Sequence, residues 1–228
     1  MGTKVTRAIT SEKANSLFWL GRYIDRVFVT IRYYNIIFDK MLDEDKEIYH
    51  RYCKELDIPD FYNNDAHFMT SYLYELDNPD SIHSNLKRAY DNAIVLREEI
   101  STEVLSYIQM GMNTFLNMEE SEAPVLMLQE VVDDIYAFWG ALSENTNDQV
   151  SRDIIRLGKF GERVDLYCRL GYSSELVGVQ YHKLHERIDR LCNTVDIKGL
   201  GDLKLCEDYD SSELMEEIVK LTQLFEVI

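Results

Sequence analysis

Leu20-Gly21-Arg22-Tyr23-Ile24-Asp25-Arg26-Val27 recurs late in the chain as Leu157-Gly158-Lys159-Phe160-Gly161-Glu162-Arg163-Val164. Every aligned pair except Ile24/Gly161 is identical or chemically similar, which marks an internal repeat. Around the first copy, apolar residues fall at Leu17, Leu20, Ile24, Val27, Ile31, Tyr34, Phe38 and Met41. That three-four alternation predicts one helix from about Ser11 to Leu42, roughly 48 Å long. A second row, Trp19, Tyr23, Arg26, Thr30, Tyr33 and Ile37, predicts that this helix is buried on two sides, as a central element would be. The matching seam of the second copy is Ile154, Leu157, Gly161, Val164, Cys168 and Gly171. It is small where the first is bulky, so the two copies are expected to pack together, with Gly161, Cys168 and Gly171 making room for Ile24, Ile31 and Tyr34.

Outward from the repeat, the period stays helical. Turn signals divide the chain into expected helices over about 44–55 and 64–76, from the turn at 77–80 to about 100, and over 104–118, 124–143, 148–170 and 174–194. A loop over 195–210 precedes a last helix from Ser211 to Ile228, capped by Ser211-Ser212-Glu213. Three prolines and ten glycines are too few for an all-β chain. The expectation is an all-α multi-helix bundle, with residues 1–228 as one helical domain. The net charge of −17 argues against a duplex-binding protein, which needs a cationic face. Cys53, Cys168, Cys192 and Cys206 lack metal-knuckle or redox-pair spacing, and charges interrupt every apolar stretch of the first forty residues. A cytoplasmic protein with reduced thiols, no membrane anchor and no nucleic-acid partner is expected.

Within the repeat, Arg22, Asp25 and Arg26 stand at helical spacing, as do Lys159, Glu162 and Arg163. If the copies face each other, Asp25 meets Arg163 and Glu162 meets Arg26 in a partly buried network. A structural role for these charges is favoured over a ligand pocket. Glu47-x-x-His50 is a single Glu-x-x-His where a di-iron bundle needs two plus further glutamates, and His182, His185 and Asp189 are an incomplete set. No metal and no cofactor are expected. No nucleophile elbow or glycine-rich phosphate loop is written here, so no catalytic residue is assigned. Fifteen tyrosines and two tryptophans at helical spacing read as core or interface.

The stretch Ser16-Leu17-Phe18-Trp19-Leu20-Gly21-Arg22-Tyr23-Ile24-Asp25-Arg26 carries a resemblance. So do Asn78-Pro79-Asp80-Ser81-Ile82, Arg88-Ala89-Tyr90-Asp91-Asn92-Ala93, Arg97-Glu98-Glu99-Ile100-Ser101 and Leu157-Gly158-Lys159-Phe160-Gly161-Glu162-Arg163. Together they resemble the bacterial alpha-E domain family. Asp25 stands where the family has glutamate, Lys159 where it has arginine, and Ile94 where arginine is common. The resemblance implies an all-helical protein associated with a circularly permuted ATP-grasp protein and a transglutaminase-like protein. The expected role is a non-catalytic interaction module or accessory subunit in a peptide or amide-bond ligation system, with an ATP-grasp-type ligase or transglutaminase-like protein as partner. The competing expectation is an enzyme or substrate-binding subunit whose Arg/Glu pocket recognises a peptide or amino-acid-like ligand. In either case Arg22, Asp25, Arg26, Lys159, Glu162 and Arg163, with Arg88 and Arg97, would form the polar centre. Homo-oligomerisation stays open.

Overall fold

Helix ends in this chain are set by short polar side chains that satisfy orphan backbone donors. Asn64, Ser81, Asp148 and Ser173 each accept a hydrogen bond from the backbone N–H three residues on. A computed structural model describes residues 9–43, 45–118, 124–203 and 210–226. Among them are nine helices: α1 (Ser11–Asp43), α2 (Ile48–Leu56), α3 (Asp65–Tyr74), α4 (Ile82–Val95), α5 (Thr102–Met118), α6 (Pro124–Asn145), α7 (Gln149–Arg169), α8 (Ser174–Thr194) and α9 (Ser211–Gln223). A 3-10 turn lies at Leu200–Asp202. The protein is all-α.

Some helix ends differ from the sequence expectation. Helix α4 stops at Val95 rather than near Ile100, because Leu96 and Ile100 stay buried through a turn and so prolong the apolar period past the helix. Helix α9 is capped by Asp210, whose Oδ1 accepts from the N–H groups of Ser212 (2.8 Å) and Glu213 (3.0 Å). Most of the 195–210 loop is described, with its 3-10 turn, whereas residues 204–209 and Cys206 among them lie outside the described residues, as does the acidic run 119–122.

The chain divides into two compact units, residues 1–25 with 146–228 and residues 26–145, and the boundary falls inside α1. No residue of α1 from Lys13 to Ile31 is exposed. In the second unit, α3 packs on α4, α4 on α5 and α5 on α6. Its core is aromatic: Tyr34, Tyr52, Phe68 and Tyr72 are each at most 2% exposed, and the Tyr52 hydroxyl donates to that of Tyr72 at 2.9 Å. Burial pushes both phenols up. These aromatic rings fill a core.

In the first unit, α7 packs against α8 and α9, and α1 crosses α7 through the repeated glycines. A Cβ at Gly21 would lie 1.9 Å from the Ile155 carbonyl oxygen, and one at Gly158 would lie 2.0 Å from that of Phe18. Backbone touches backbone on both sides, as only glycine permits. The small-for-bulky pairing expected from sequence is therefore corrected. Gly161 receives Leu221 of α9, whose Cδ2 would lie 3.3 Å from an added Cβ. Gly171 ends α7 in the left-handed region (φ +67°), and Tyr34 sits in the aromatic core of the second unit.

Candidate functional site

The glycine crossing brings the charged faces of α1 and α7 together. Arg22 and Asp25 follow Gly21 by one and four residues, and Glu162 and Arg163 follow Gly158 by four and five. Each acid thus meets a base from the other helix. Asp25 is fully buried and takes Arg163 through both carboxylate oxygens, with Nε–Oδ2 at 2.8 Å and a second contact from Nη2 to Oδ1. Glu162, also at 0% exposure, accepts from Arg22 Nε at 2.5 Å. Arg22 is 5% exposed; its Nη1 donates to Thr222 Oγ1 of α9, and its Nη2 lies 3.5 Å from Asp165 Oδ2. Asp165 in turn accepts from Arg169 Nε at 2.9 Å. The guanidinium of Arg22 rests over the Trp19 ring at 5.1 Å.

The electrostatics follow from burial. Desolvation pushes the Asp25 carboxyl above its ordinary value, opposed by Arg163 and Lys159. Arg163, locked to that carboxylate, is held firmly protonated above its ordinary value. Lys159 is driven down to about 8, first by burial and then by the crowding of Arg163, Arg156 and Lys183, with Asp25 pulling the other way. In a buried pair of this kind, removal of either partner strands a charge.

Within this unit Arg22 takes Glu162. Arg88 and Arg97 belong to the second unit. The Nη1 of Arg88 donates to the Pro79 carbonyl at 2.7 Å and to Asn85 Oδ1 at 3.3 Å, tying the turn before α4 to its first turns, and Arg97 is exposed. Thr222 and Asp165 join the network without any signal in the repeat. The Tyr181, His185 and Glu217 contact was missed as well: the Tyr181 hydroxyl donates to Glu217 Oε2, and His185 Nε2 lies 2.9 Å from Glu217 Oε1 without hydrogen-bond alignment. His185 is thereby turned inward while His182 and Asp189 are exposed, so the three do not share a site. His50 faces Asp60 at 2.5 Å. A cavity of about 240 Å³ opens at the start of α1, lined by residues including Ile9, Ala14, Lys198 and Phe225, and none of the repeat's charged residues lines it.

A family model described as a predicted alpha-helical domain with a conserved ER motif matches residues 9–210. The chain belongs to the Alpha-E family. Two Glu-Arg dipeptides lie in the matched span of this Alpha-E chain, Glu162-Arg163 and Glu186-Arg187, and the first of them sits in the buried network. No curated protein and no solved structure matches the chain. Among the described residues no helix is long and apolar enough to cross a membrane.

Proposed function

We propose that this Alpha-E chain is a non-catalytic helical interaction module, an accessory subunit of an ATP-grasp-dependent peptide or amide-bond ligation system. One observation carries the reading: the acids of the duplicated motif are sealed. Asp25 and Glu162 have no exposed surface, and each is taken up by an arginine of the facing helix. A group that recognises a substrate must be reachable, whereas groups that clamp two helices need not be. The same burial weighs against the alternative, a substrate-binding pocket built from these arginines and acids. Two of the described thiols point the same way, since burial pushes Cys53 up to about 12 and Cys168 to about 11, away from the reactive thiolate. The partner, an ATP-grasp-type ligase or a transglutaminase-like protein, comes from the family resemblance.

The test is co-elution. This chain, mixed at about micromolar concentration with a purified ATP-grasp-type ligase from the same genome, should elute with it as one complex, because an accessory subunit needs at least about −8 kcal/mol of binding. Separate elution of two folded proteins overturns the assignment.

A further inference from the structure

The cavity at the start of α1 is built by three pieces of the first unit. After α8 the chain leaves the helix through Val195, which is extended and buried, and turns where the Leu200 N–H donates to the Ile197 carbonyl at 3.1 Å. Within that turn Gly199 takes φ +87°, and a Cβ there would lie 2.9 Å from Leu224 Cδ2. Glycine therefore lets the turn close against the end of α9. Beyond α9 the Phe225 ring stacks on Phe18 of α1 at 4.2 Å, and the Phe225 carbonyl accepts from Asn15 Nδ2. Ala14, Ile197, Leu224 and Phe225 thus line a space of about 240 Å³ with apolar surface.

Three charged residues line the same space. Asp196, Lys198 and Glu226 are all exposed. Among the described residues none of them makes an ion pair or a side-chain hydrogen bond. Opposite charges therefore share one small cavity without neutralising each other, so a ligand that enters it meets a cation and two carboxylates that are not committed elsewhere.

Size and charge select the ligand. The volume holds about eight waters at ~30 Å³ each, and it falls below the roughly 300–1,000 Å³ of sites for drug-sized molecules. A body of a few carbons fits the apolar walls. A carboxylic acid alone would face two carboxylates for one ammonium group, and an amine alone would leave Lys198 opposed by a like charge. A divalent cation needs several converging ligands, and among the described residues no three His, Cys, Asp or Glu side chains converge on one point. A zwitterion with an apolar side chain meets every group.

We infer that this cavity is a binding site for a free apolar α-amino acid the size of leucine. Its side chain lies against Ala14, Ile197, Leu224 and Phe225, its carboxylate is met by Lys198, and its ammonium group by Asp196 and Glu226. The site lies apart from the sealed acids and does not depend on any protein partner, so failure of ligase co-elution leaves it standing.

The full chain is titrated with L-leucine by isothermal calorimetry, beside leucinamide, 4-methylpentanoate and L-glutamate. Saturable binding of one leucine per chain is expected, with Kd at or below about 1 mM. Leucinamide lacks the carboxylate and 4-methylpentanoate lacks the ammonium group, and each should bind at least about fivefold more weakly. Glutamate, with a charged side chain facing apolar walls, should not bind. Lys198→Glu alters an exposed side chain and should keep the parent's melting midpoint while weakening leucine binding at least about tenfold. Lys220→Glu, exposed on α9, should bind leucine as the parent does. No saturable binding of leucine, equal binding of any of the three other probes, or equal binding of leucine by Lys198→Glu overturns the inference.

Discussion

Replacing Gly158 by alanine tests the architecture at its tightest point. The added Cβ would stand 2.0 Å from the Phe18 carbonyl oxygen, against 3.4 Å for ordinary contact, so α1 and α7 must part by about 1.4 Å. Backbone atoms on both sides leave no flexible side chain to yield. The same displacement would stretch Arg22 Nε–Glu162 Oε2 from 2.5 Å to about 3.9 Å and Arg163 Nε–Asp25 Oδ2 from 2.8 Å to about 4.2 Å, beyond hydrogen-bond range. Overpacking alone costs about 1–3 kcal/mol, and loosening buried ion pairs adds to it. The expected loss is at least about 3 kcal/mol, or a fall of roughly 6–12 °C in Tm for a chain of this size. Circular dichroism melts and urea titrations of the full chain measure it. Gly140→Ala is the control: Gly140 lies exposed within α6 with nothing within 4 Å of the new methyl, and the change should stabilise by about 0.5–1 kcal/mol. A Gly158→Ala protein within about 1 kcal/mol of the parent would refute the crossing, since no well-packed backbone contact absorbs an inserted methyl so cheaply.

Three further outcomes are expected. Glu162→Ala strands Arg22 in a buried site and should cost about 3–5 kcal/mol; an unchanged melting midpoint argues against a sealed pair. Lys159→Met should respond to pH in a defined direction. Because folding depresses the lysine from 10.5 to about 8, the unfolded chain holds the extra proton between those values, so the parent gains stability relative to the variant as pH rises through that window. The gain should reach about 1–2 kcal/mol by pH ~9.5, read from paired urea titrations; a constant difference from pH ~7 to ~9.5 contradicts a desolvated Lys159. Finally, Cys53, fully buried and pushed up to about 12, should alkylate at least about a hundredfold more slowly at pH ~8 in the native chain than in urea. Site-resolved mass spectrometry that found equal rates would contradict its burial.

The helices and the repeat were legible from the residues because both depend on local rules. Periodicity over three and four residues places a stripe on a helix wherever that helix goes, and Asn64, Ser81, Asp148 and Ser173 cap by contacts within one turn. Ser174–Thr194 and the start of α1 agree with that reading, while α4 shows its limit: Leu96 and Ile100 keep the helical period after the helix has ended. The pairing of Asp25 with Arg163 was also expected, because duplicated faces that meet bring their charges into reach.

Register across the crossing was another matter. The sequence by itself determined that two similar helices carry glycine and alternating charges, but the contact was expected at Ile24 against Gly161, where one side chain is large and the other absent. Tertiary structure placed it at Gly21 and Gly158 and gave Gly161 to Leu221. From that choice follow the matching of Glu162 with Arg22, the recruitment of Thr222 and the sealing of the acids. The physical reason is that a side-chain stripe specifies which face is buried, whereas the depth at which two backbones cross depends on every neighbour packed around them, α9 included.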